Sequence, residues 1–171
     1  AVALAGGAHA LAHLVGDLDG SVALLDRALA LDPNLASGWY LGGFLRIWRG
    51  QPEEAIKCLA RAIRLNPLSP DMHRMEVGTA MAHLLANQPE SALSWAEKAS
   101  QHLPDRVLPI VILAAIFVRA DRGKEARALL KRLQQFEQMP RIAQLNEWLP
   151  FQRSRDLEVF VEALREAGLP N

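Results

Sequence analysis

The chain has almost no cysteine. Cys58 is the only one in 171 residues, so no internal disulfide can hold the fold, and no metal-ligand partner stands near it in sequence. Aromatic residues are scarce at 6%. Runs of β-branched residues are rare outside one segment, which argues against a fold built from sheets. Net charge is absent as well. Nineteen Lys and Arg cancel nineteen Asp and Glu, so the basic footprint of a nucleic-acid binder is missing. One local basic stretch holds Arg119, Arg122, Lys124, Arg127, Lys131 and Arg132. It has no Gly-rich phosphate loop and reads as a solvated helix face. The longest apolar run, residues 107–118, has twelve residues, where a membrane span needs about 20. No signal peptide is recognisable, and with the lone cysteine this sets the expectation of a cytoplasmic protein. The first residue is Ala1 rather than Met, which sets the expectation of a fragment of something longer.

What the chain does have is helix-forming apolar sequence. Half of it is hydrophobic, with Ala and Leu, the strongest helix formers, dominant. It also repeats itself. Ala28-Leu29-Ala30-Leu31-Asp32-Pro33 is matched by Ala62-Ile63-Arg64-Leu65-Asn66-Pro67, with the prolines 34 residues apart. A third copy ends at Pro104, 37 residues later. Ser21, Ala55, Ala92 and Ala126 keep the same phase, at spacings of 34, 37 and 34. Gly50-Gln51-Pro52-Glu53-Glu54-Ala55 is mirrored by Asn87-Gln88-Pro89-Glu90-Ser91-Ala92. Proline fits the first turn of a helix, where its missing N–H is not needed. Asn66-Pro67 ends a helix, because proline disfavours helix in the residue before it. Each unit therefore reads as two helices, with the firmest expectations over 3–15, 21–31, 36–49 and 53–65.

No constellation of reactive residues emerges. His9 and His13 stand four apart, yet Ala10 occupies the place where a zinc protease needs Glu, and no third ligand is evident. Ser91 and Ser94 lie in a helix without a nucleophile elbow. Glu53 and Glu54 fall in a first helical turn, where they complement the helix dipole. Cys58 reads as a buried, inert thiol. The expectation is therefore no catalytic residue, no metal ligand and no cofactor site.

A helix–turn–helix period of 34 residues resembles the tetratricopeptide repeat. Counted from Ala36, the residues Trp39, Gly43, Ala55, Ala62 and Pro67 stand at that family's signature positions. Gly43, Ala80 and Ala114, with Ala55, Ala92 and Ala126, are small where paired helices approach closely. The resemblance implies an all-α solenoid, a right-handed superhelix of about four hairpins at 1–34, 35–68, 69–105 and 106–139. The departures are His9 and the Gly6-Gly7 pair in the first unit, three extra residues near 68–73 in the third, and Leu133 with a late Pro140 in the fourth. Residues 140–171 do not repeat. Leu157, Phe160, Val161 and Leu164 form one apolar stripe, expected to cap the fourth unit around Leu129 and Leu133. The stretch Phe151-Gln152-Arg153-Ser154-Arg155-Asp156-Leu157-Glu158 is also similar to the C-termini of repeat arms on bacterial class III adenylate/guanylate cyclases.

In the tetratricopeptide family the first helix of each unit lines an inner groove. The resemblance thus implies a groove built from Tyr40, Leu41, Phe44, Ile47, Trp48, Arg74, Val77, Met81, Leu84, Val111, Ile112 and Arg119. The Lys and Asn that clamp a terminal carboxylate in chaperone-binding members are missing, so a carboxylate-clamp peptide is not expected. The implied role is a scaffold for a protein or peptide with an apolar or amphipathic segment. That segment could belong to another protein, to the chain's own missing domain or to a second copy. The expectation includes neither nucleic acid nor a membrane span. Two alternatives stand beside it: a self-association module, and a substrate-positioning arm of an enzyme such as a nucleotide cyclase or glycosyltransferase.

Overall fold

A computed structural model describes residues 1–101, 106–135 and 140–170, without the side chains of His13 and Gln135. The expected third turn at Leu103-Pro104 and the end of the fourth unit lie outside the described residues, as does the side-chain half of the His9–His13 pair. Among the described residues there are ten α-helices and no strand. The chain is an all-α solenoid of helical hairpins. They are α1 (Val2–Ala10) with α2 (Leu18–Leu31), α3 (Ala36–Trp48) with α4 (Pro52–Leu65), α5 (Met72–Leu85) with α6 (Pro89–Ser100), and α7 (Val107–Arg119) with α8 (Gly123–Gln135). The tail holds a 3₁₀ turn (Ile142–Gln144), the short α9 (Leu145–Trp148) and α10 (Ser154–Ala167).

The turn inside each hairpin is the repeat in its clearest form. Gly16, Gly50, Asn87 and Asp121 all have positive φ, between 57° and 75°, and keep the 34, 37, 34 spacing. In three of them the next hydrogen bonds coincide. Gly50 N–H donates to Ile47 O and Gln51 N–H to Arg46 O, at 2.9 and 2.8 Å. Asn87/Gln88 and Asp121/Arg122 repeat both bonds. This is the Schellman ending, which places a left-handed residue after the helix and satisfies its last carbonyls. Pro52 and Pro89 then open α4 and α6.

Small residues set the helix spacing. A Cβ on Gly43 would lie 2.5 Å from Leu59 Cγ, and Ala55, Ala80, Ala92, Ala114 and Ala126 are fully buried. Hairpins are tied to one another by Trp39 Nε1–H donating to Pro33 O at 2.8 Å. Ion pairs Arg46–Asp26 and Arg49–Asp19, both 2.7 Å, join α3 to α2.

Three details differ from expectation. The second helix begins at Leu18 rather than Ser21, because Asp17 Oδ1 accepts from Gly20 N–H at 2.8 Å and caps it. The first helix loosens into a π-turn at Leu11–Val15, beyond Gly6 and Gly7, whose Cβ positions face open space. The tail helix α10 packs on the fourth hairpin as expected, but chiefly on α7 and only to a lesser extent on α8, where Leu129 and Leu133 stand. Its stripe is also shifted. Phe160 and Leu164 are fully buried, joined by Asp156, Ala163 and Ala167, while Leu157 and Val161 stay half-buried.

Candidate functional site

The first helices of the second, third and fourth hairpins, α3, α5 and α7, lie side by side and line a common depression, the inner face of the stack. Along α3, residues spaced four apart stack into a ladder. Tyr40 meets Phe44 edge-on at 5.4 Å, and Phe44 meets Trp48 at 6.1 Å. On the facing α5, Gly78 leaves room for Phe44: a Cβ there would stand 2.8 Å from its Cζ. This glycine lets the two helices close around the aromatic ring.

These residues border an apolar cavity of about 150 Å³. Its walls include Tyr40, Leu41, Phe44, Trp48, Val77 and Ile112. Arg74 sits at its rim, over the Tyr40 ring at 5.3 Å and 3.5 Å from Asp71. Burial pushes the Tyr40 phenol up to about 12, against the opposing pull of Arg74. The cavity is therefore a low-polarity place with one cation at its edge.

The twelve residues expected in the groove divide into three groups. Tyr40, Leu41, Phe44, Trp48, Arg74, Val77 and Ile112 come together around the cavity. Leu84 and Arg119 fall in a separate depression, beside Asn87, Arg155, Asp156 and Val159. Ile47, Met81 and Val111 are fully buried and line neither. These three belong to the buried core between the stacked helices.

Two features escaped the sequence reading. His9, from α1, reaches the cavity, and so does Trp148, from the tail. After α9, whose Trp148 borders the cavity, the chain returns to the C-terminal end of α3. Leu149 is buried, with 1% of its surface exposed. Gln152 N–H donates to Trp48 O at 2.8 Å. The Arg153 guanidinium lies where a Cβ on Gly50 would be, and Phe151 stacks on Phe160 at 5.6 Å. The signal was present in Trp148-Leu149-Pro150-Phe151, an apolar run around a proline, which water does not favour as a bare linker.

Among the described residues no three His, Cys, Asp or Glu gather as metal ligands, and no helix is long and apolar enough to cross a membrane. Cys58 is 4% exposed, and burial pushes its thiol up from the ordinary range.

The tetratricopeptide repeat family model matches residues 49–105. Among solved structures, the chain is similar to YrrB, described as a TPR protein with an unusual peptide-binding site. The TM-score is 0.63 at 18% identity, over 96% of this chain and 82% of that one. It is also similar to MamA, with a TM-score of 0.63 at 16% identity, over 91% and 90% of the two chains. None of the curated proteins matches the sequence. At these identities the structural likeness concerns the fold.

Proposed function

We propose that this chain, which carries tetratricopeptide repeats, is a protein-binding scaffold that takes a bulky apolar side chain of a peptide segment into the cavity between α3, α5 and α7. The observation that carries this reading is the cavity itself: aromatic and aliphatic walls from three successive inner helices, with Arg74 at the rim. A depression of about 150 Å³ with apolar walls has room for one benzene-sized group. Filling it with a leucyl or phenyl group removes apolar surface from water, worth about 25 cal/mol per Å². Aromatic residues in such settings are the usual anchors of an interface. The neighbouring cation favours a segment with an acidic residue beside its anchor. YrrB, of like fold, is described as having a peptide-binding site, which supports the class of ligand and not its sequence. The tail's resemblance supports a signalling setting, with a cyclase or another catalytic domain elsewhere, and the lone cysteine with no recognisable signal peptide supports a cytoplasmic one. Self-association by the same face is the second reading.

The test is a displayed-peptide selection against the full chain, followed by affinity measurement on wild type and Leu108→Trp. Leu108 is half-buried and lines the cavity from the first turn of α7. A larger side chain there fills the space. Selected peptides should carry one large apolar residue and lose about tenfold or more in affinity, equivalent to about 1.4 kcal/mol, at an unchanged melting temperature. Peptides that bind Leu108→Trp as well as wild type would move the site elsewhere. A stable dimer by light scattering that blocks selected peptides would favour self-association.

A further inference from the structure

We propose that residues 148–153 are a built-in ligand: a strap that occupies part of the concave face and must lift before a partner has the whole groove. This rests on the groove reading above and adds its regulation. The occupant is a segment of the chain itself, and its contacts resemble those of a bound peptide. One backbone bond, Gln152 N–H to Trp48 O, ties it to α3, more than a hundred residues earlier in the chain. One apolar peg, Leu149, is buried. One aromatic residue, Trp148, forms a wall of the cavity. One long side chain, Arg153, covers the Gly50 turn. Pro150 has no N–H to satisfy and holds the segment out of helical form.

The strap is held less firmly than its two flanks. Before it, Leu145 is fully buried. After it, α10 buries Phe160, Ala163 and Leu164, and Pro170 O accepts from Ile142 N–H at 2.9 Å. Between them only Leu149 is buried, while Trp148, Pro150, Phe151 and Arg153 are half-buried, Gln152 is exposed, and Arg153 pairs with Asp156 of α10 at 2.7 Å. A segment held by a single buried residue between two longer, well-buried anchors is the kind that opens locally while the rest stays folded. While closed, the strap lowers the apparent affinity of any competing ligand by the fraction of time it is open.

Two measurements decide this on the full chain. The first is hydrogen exchange of wild type alone. The Gln152 amide should exchange through local opening, faster than the amides of α7 and the core of α10. If it exchanges only at the rate of those core amides, the strap is a fixed part of the fold and the proposal fails. The second uses a labelled synthetic peptide with the chain's own sequence from 145 to 158. It should bind the Trp148→Ala/Arg153→Ala double variant about tenfold or more tighter than wild type. Equal binding to both, or no binding to either, overturns the proposal. Should the double variant fail to fold by circular dichroism, the exchange result stands alone and decides. Both readouts are independent of any foreign partner, so failure of the Leu108→Trp test leaves them informative.

Discussion

In the second hairpin, α3 keeps Leu41 and Phe44 half-exposed along a cavity, while in the fourth every residue of α7 from Ile110 to Val118 is buried. The two helices occupy the same place in the repeat. What separates them is the tail: α10 lies against α7, and the strap reaches α3 with little more than Trp148, Gln152 and Arg153. Repeat position therefore sets where a residue sits in the solenoid, but burial depends on what the non-repeating sequence does afterwards. The same inner face serves as core at one end and as a candidate ligand surface at the other.

The largest effect should come from truncating the tail's central ring. Phe160 is fully buried and stacked on Phe151, so Phe160→Ala should cost about 3–5 kcal/mol. Phe44 is half-buried at the cavity, so Phe44→Ala should cost less, about 1–2 kcal/mol, in line with its partial burial. Urea unfolding of both variants measures the pair. A larger loss for Phe44→Ala would mean that α3, and not the covered α7, holds the core together.

Glycine substitutions sharpen the contrast between the interior and the N-terminal edge. At Gly43 a Cβ would meet Leu59 Cγ at 2.5 Å, so Gly43→Ala overpacks the α3–α4 pair and should destabilise by about 1–3 kcal/mol. Gly7 stands in α1 with nothing within 4 Å of its Cβ position. Gly7→Ala should therefore stabilise by about 0.5–1 kcal/mol, through helix propensity. Opposite shifts in melting temperature are the expected result. Two losses would show that α1 is packed as tightly as the interior. The edge is otherwise open, with Val2, Leu14 and Val15 exposed by 70%, 83% and 69%.

Most of the fold was legible because the repeat writes each turn twice, in chemistry and in period. Gly50-Gln51-Pro52 marks both a left-handed residue and the next helix's first position. Where a side chain overrode propensity the boundary was missed: Asp17 starts α2 in spite of Gly20. The site was legible in part. Tyr40, Phe44 and Trp48 share one face by their spacing alone. Ile47 and Met81 lie on inner helices too, but how closely neighbouring helices stack is not a property of one helix. The tail's path was harder still. An apolar stripe on α10 tells that it must be covered, but α7 and α8 were equally eligible, and only the packing of the hairpins decides between them.

The smallest effect at neutral pH, and the most direct report on the cavity, concerns Tyr40. It is the only tyrosine in the chain, so the absorbance of ionised phenol during a pH titration reads this group alone. Burial raises it to about 12 from 10.0, with Arg74 opposing. The folded state then keeps its proton where the unfolded state gives it up. Stability from this group is complete below pH 10 and falls as pH rises from 10 toward 12, because there the unfolded chain binds fewer protons. The loss approaches about 1.4 kcal/mol per pH unit inside that window. Tyr40→Phe removes the titration and the slope while leaving the ring in place. Wild type and variant should have similar melting temperatures at pH 7, and wild type should fall below the variant above pH 10. A midpoint near 10 in the folded protein would show that water fills the space around the ring. The second hairpin would then present a wet, open groove rather than a dry pocket, and an apolar anchor would gain less from entering it.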